Sequence, residues 1–217
     1  MTDGLELLKK EWQKREADLP KLTYDEIHKM IWKKSSSIVK WILIISILEI
    51  TLPNLLYLSP SFREENLFDD MSNLNTIFIV FNILNYSVVA YFIYQFYRRY
   101  KEISVLASAK NLMHQIIKTR KTVKHYIIFC LSMGLVLFAF FIFGIYLSDE
   151  FLQAILVGIG EKSKEIPLEK IRIAAIWILS IGGIVFTAVA AGIYFLLYGL
   201  LLRKLKRNYN DLKQLEV

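Results

Sequence analysis

The stretch WILIISILEITLPNLLYL, Trp41–Leu58, decides the fold. Nearly every side chain in it is apolar. About 20 such residues, rising 1.5 Å each, cross the ~30 Å hydrocarbon core of a bilayer as a helix. Glu49 interrupts the run, and Pro53 follows four residues later. Three more blocks of this kind complete the pattern. The four spans are expected at residues 38–58, 74–97, 126–147 and 173–202. The fourth exceeds one crossing, so it must tilt or project beyond the bilayer. Backbone amides in lipid need internal partners, so each block is expected to be a helix.

The whole chain agrees with this reading. Of its 217 residues, 55% are hydrophobic, and the mean hydropathy is +0.39. A soluble domain of this size would break its apolar runs more often. The expected fold is all-α: a polytopic membrane protein with four transmembrane helices in a bundle. Residues 1–37 form a cytoplasmic appendage of short amphipathic helices, residues 38–202 the membrane domain, and residues 203–217 a tail. The N-terminus is polar and lacks the short apolar region and cleavage site of a signal peptide.

Lysine and arginine set the orientation. Nine lie between the N-terminus and Lys40, eight between spans two and three, and five in the tail. The other two connections hold only Arg63, Lys162, Lys164, Lys170 and Arg172. Basic residues concentrate on the cytoplasmic side, so both termini are expected there. The net charge of +7 sits largely beside membrane ends, which points to lipid headgroups and not to nucleic acid.

The appendage has two helical signatures. Leu5, Leu8 and Trp12 share one face of a first helix, which Pro20 ends. Thr23 and Glu26 then have the spacing of a capping box, ahead of Tyr24, Ile27 and Ile31. These apolar faces suit a protein partner. Between spans two and three, apolar residues recur at helical spacing among basic ones. Two arrangements fit: a helix lying on the membrane surface, or a helical hairpin that extends spans two and three.

Glu49 lies about 12 Å beyond Trp41, near the expected midplane. A carboxylate there must be neutral, paired or wetted. Asn82, Asn85 and Thr187 fall at similar depth and complete an expected intramembrane polar cluster. Pro53 introduces a kink, and it withholds a donor from the Glu49 carbonyl. Asn82 or Asn85 would then donate to that oxygen or to the side chain. In span four, Gly183, Thr187 and Ala191 form one small-residue row, and Ala188 and Gly192 another. Such rows allow close helix packing, within one bundle or in a homo-oligomer.

The three histidines, His28, His114 and His125, are not spaced as ligands, and Cys130 is the single cysteine. No nucleotide, hydrolase or zinc motif occurs. Neither a metal nor a cofactor is expected, and the chain does not read as an enzyme.

The segments LELLKKEWQK, YDEIHKMIWKKSSSIVKWILIISILE and KTRKTVKHYI resemble a family of uncharacterised four-span inner-membrane proteins of Bacteroidetes, especially flavobacteria. Some of those relatives are labelled carotene cleavage oxygenases. That enzyme class uses a β-propeller with four iron-binding histidines, whereas this chain has three histidines and four apolar blocks. The resembled family travels with extracytoplasmic-function sigma factors, which implies a regulatory role. The leading expectation is therefore a non-enzymatic membrane protein that binds a cytoplasmic or membrane protein partner through its N-terminal cytoplasmic helices, in transcriptional or envelope-stress control. The alternatives are a structural subunit of a larger inner-membrane complex, or a small transporter, channel or membrane enzyme centred on Glu49.

Overall fold

The computed structural model describes residues 6, 9, 23–56, 72–105, 108–158 and 167–215. Among them every regular element is a helix. These are α1 (Tyr24–Leu56), α2 (Ser72–Val105), α3 (Ala109–Leu147), α4 (Asp149–Gly158), α5 (Leu168–Tyr194) and α6 (Leu200–Leu215). A single π turn, Phe195–Gly199, joins α5 to α6. Four of the helical stretches are long and apolar enough to cross a membrane. Leu5, Leu8, Trp12 and Pro20 lie outside the described residues.

The capping box forms. The Thr23 backbone N–H donates to Glu26 Oε2 at 2.8 Å, and the Glu26 N–H donates back to Thr23 Oγ1 at 3.4 Å. These bonds satisfy N–H groups that the first turn of a helix otherwise leaves open. From there α1 runs 33 residues without a break, through Pro53.

The four apolar helical stretches are longer than a bilayer core is thick. At 1.5 Å per residue, the 39 residues of α3 extend about 58 Å. The excess lies at the end where lysine and arginine collect, here called the basic end. Between spans two and three, α2 continues to Val105 and α3 starts at Ala109. The connection is therefore a hairpin extension, not a helix lying flat on the membrane. Its core includes Ile103, Leu112, Ile116 and Val123, packed with Ile31 of α1 and Leu205 and Leu212 of α6.

Two polar contacts fix the register of this extension. The Trp32 indole N–H donates to the Ile103 carbonyl at 2.6 Å. The Asn208 side-chain amide donates to Ser35 Oγ at 3.0 Å, with both residues buried. A buried polar pair costs stability if separated, so it favours one alignment of α1 and α6.

Nearer the middle of the spans the pattern inverts. None of the most apolar window of α3 is buried, and very little of the corresponding window of α2 or α5. Ile83, Leu135, Ile178 and Ile184 point outward. In water such a surface would be costly; against acyl chains it is the solvated state. The larger core thus sits towards the basic end, and the exposed apolar surface of the spans suits a lipid environment.

At the far end the chain between spans three and four folds back as α4. Ser148 Oγ accepts from the Phe151 N–H at 3.2 Å and starts this helix. Phe151 and Leu152 are buried with Ile145. Gly144 makes room for the return: a Cβ there would lie 2.5 Å from the Phe151 ring. Asp149 and Arg172 form an ion pair between the α4 start and α5.

Candidate functional site

Glu49 is carried on α1, on the face that looks into the bundle. The Tyr126 hydroxyl of α3 donates to Glu49 Oε2 at 2.5 Å. Tyr198, in the π turn, is also fully buried, and its hydroxyl faces the same carboxyl. It closes no hydrogen bond of normal geometry with any described group. Cys130, one turn beyond Tyr126, stands beside Tyr126 and Tyr194.

Aromatic packing holds these hydroxyls in place. The Tyr126 ring meets Phe96 edge-on at 5.4 Å, Phe92 at 5.5 Å and Tyr198 at 5.9 Å. Tyr194 stacks on Tyr198, also at 5.9 Å. Ring pairs of this geometry add to the stability from burial, and they leave each phenol little freedom to turn. Glu49 is therefore held in a cage of tyrosines from α3, α5 and the π turn.

A cleft of about 330 Å³ opens beside the cage. Glu49, Asn54, Asn85 and Tyr86 supply polar groups on one side, and Met133, Gly134 and Leu137 supply apolar wall. The Tyr86 hydroxyl donates to Asn54 Oδ1 at 3.3 Å. Such a space accommodates several waters or one small polar ligand.

The expected intramembrane cluster is brought together only in part. Asn85 shares the cleft with Glu49. Asn82 instead donates to the Phe78 carbonyl of its own helix at 2.9 Å, and Thr187 donates to Gly183 in the same way at 2.7 Å. Pro53 lines the cleft next to Glu49. The partner that Glu49 found, Tyr126, heads the third apolar block, only two residues past Lys124. Their backbones differ by about 3 Å in depth. Tyr198 is likewise only five residues, or about 7.5 Å, from Arg203. Glu49 thus sits nearer the basic rim than counting from Trp41 suggests.

The small-residue rows of span four separate. Gly183 is buried against α3, where a Cβ would lie 2.9 Å from Phe138. Ala191 lies further along that side, whereas Ala188 and Gly192 are exposed, with open space around Gly192. Of the apolar residues expected to meet a partner, Ile31 is in the core and Ile27 packs against it. Tyr24 is exposed and stacks on His28.

A family model described as a domain of unknown function, DUF8845, matches residues 25–217. The chain belongs to that family. The match spans every helix above and stops short of the first 24 residues, so the tyrosine cage and the basic-end bundle are both family territory. It brings with it neither a bacterial group nor a carotene oxygenase activity. No curated protein and no solved structure matches the chain.

The sequence pointed to Glu49 but not to its tyrosines. Tyr126, Tyr194 and Tyr198 stand at the ends of apolar blocks, where aromatic residues ordinarily anchor a helix at the interface. Their spacing to one another along the chain carries no signal. One feature did mark span four: the run through residues 195–202 continues past the length of a single crossing.

Proposed function

We propose that this is a non-enzymatic integral inner-membrane protein that binds a protein partner at its basic, cytoplasmic end, in a regulatory role. The observation that carries the reading is the four-helix extension beyond the spans. A membrane anchor needs no such structure. Here α1, α2, α3 and α6 build a packed core with two register contacts, the half-buried Trp32–Ile103 and the buried Ser35–Asn208. Rigid helices are good platforms for recognition because little order remains to be imposed on binding. The resemblance to inner-membrane proteins of Bacteroidetes associated with sigma factors supports a partner from transcriptional or envelope-stress control.

The packing also decides how to test it. A deletion through residue 34 would remove Ile31 and Trp32 and damage the bundle itself. Deletion of residues 1–22 stops before the Thr23 cap. The full chain and this deletion, purified in mild detergent from their native membrane, should differ in one or more bound proteins. An unchanged set, for the deletion and for Tyr24→Ala alike, rejects the reading.

The tyrosine cage favours a second reading, a small transporter, channel or membrane enzyme centred on Glu49. A carboxyl with a phenolic donor and an adjoining cleft can hold a proton, a cation or a ligand with donor groups. Glu49→Gln should then abolish an activity while leaving the amount of folded protein unchanged. The exposed Ala188 and Gly192 support a third, a subunit of a larger complex. It predicts co-purification that Gly192→Leu disrupts.

A further inference from the structure

A second cleft, of about 390 Å³, lies between α3 and the α5–α6 junction, away from the Glu49 cleft except for a shared Tyr194. Arg120 and Lys124 border it on one side, Arg203 and Lys206 on the other. No carboxylate lines it. The described ion pairs engage Arg98, Arg99 and Arg172, and none of these four cations. Arg120 Nε is buried with no hydrogen-bond partner. The Arg203 guanidinium is held 5.0 Å over the Phe195 ring. Four like charges converging on one cleft repel one another unless an anion joins them.

The π turn helps to build this face. Residues four apart drift about 40° per step round an α-helix. The wider turn takes up part of that drift, so Ala191, Phe195, Gly199 and Arg203 all line the cleft. Tyr198 is meanwhile directed inward to the cage. π turns inside α-helices often mark functional sites for this reason.

Below the cations the walls become apolar, at Ile127, Ala191 and Phe195. The cleft therefore has a charged mouth at the membrane rim and a greasy floor running into the spans. We propose that it binds an anionic phospholipid, with the phosphate held by Arg120, Lys124, Arg203 and Lys206 and an acyl chain along Ile127 and Phe195. Charge complementarity selects an anion, and the apolar floor selects a lipid over a free phosphate. This site does not depend on the protein-partner reading.

The test is native mass spectrometry of the full chain, released from nanodiscs of mixed phosphatidylglycerol and phosphatidylcholine. The wild type should retain phosphatidylglycerol with a preference of about tenfold. Arg120→Gln/Arg203→Gln and the exposed pair Lys124→Gln/Lys206→Gln should each remove most of that preference. Arg120→Lys/Arg203→Lys should keep most of it, and so should Lys33→Gln/Lys110→Gln, which changes cations elsewhere. If the first pair fails to fold, the lysine pair decides. The proposal is overturned if the cleft variants retain the preference, or if Lys33→Gln/Lys110→Gln loses it equally. Complete displacement of the lipid by millimolar inorganic phosphate would also overturn it, by making this a free-anion site.

Discussion

At Glu49 the decisive fact is one hydrogen bond. Tyr126 needs an acceptor in a buried setting, and a glutamine carbonyl can serve as well as a carboxyl. Glu49→Gln should therefore shift the unfolding free energy in detergent by less than about 1 kcal/mol. Glu49→Leu leaves the phenol without a partner and should cost about 1–3 kcal/mol. Thermal melts of the two variants check both values; equal stability of Gln and Leu would show that the bond contributes nothing. Glu26 offers a separate test at the N-terminal cap. The Thr23 backbone N–H, and then its hydroxyl, bond the Glu26 carboxylate and hold its pKa below the ordinary 4.5. A lowered folded pKa means stability that is present above 4.5 and lost as pH falls through the folded value. Protection of the first amides of α1, measured relative to the intrinsic exchange rate, should fall over that acid range, and Glu26→Gln, which keeps an acceptor but cannot titrate, should abolish the pH dependence.

At the scale of elements, two glycines set how closely helices approach. A side chain at Gly183 would strike Phe138, so Gly183→Leu should loosen α5 from α3 at a cost of about 1–3 kcal/mol. Gly192 has open space, and Gly192→Leu should leave the stability of the monomer unchanged. Comparing the two melts distinguishes packing inside the bundle from packing between copies. Gly144→Ala meets the buried Phe151 ring and should displace α4. Its signature is faster hydrogen exchange confined to Asp149–Gly158. Sequence periodicity located the spans and the cap of α1, because burial in lipid and capping are local demands. It did not locate α4, since that helix is short and its apolar face makes sense only against Ile145 and the spans.

For the whole molecule, α6 and the α2–α3 hairpin share the basic end, and the orientation proposed above puts that end in the cytoplasm. In a Cys130→Ala background, Asn210→Cys should resist a membrane-impermeant maleimide in intact spheroplasts and react after permeabilisation. Ready labelling from outside would reverse the orientation. The basic-end bundle also predicts a division of stability. Outside the apolar spans, hydrogen exchange should be slowest around Ile103, Leu112, Ile116 and Leu205, where protein packs on protein. Equal protection at the exposed Lys204, Arg207 and Lys213 of α6 would contradict that division.

Hydropathy alone determined that four helices are long and apolar enough to cross a membrane, because bilayer thickness and the need to satisfy every backbone amide leave few other solutions. Charge bias likewise sufficed to mark one end as basic. Tertiary structure alone decided which groups meet: Tyr126 and not Asn82 at Glu49, Phe138 at Gly183, and four cations around one cleft. Those pairings depend on helix rotation and on a single widened turn between α5 and α6. Neither leaves a periodic trace in the chain, since both are set by how side chains from distant segments fit together.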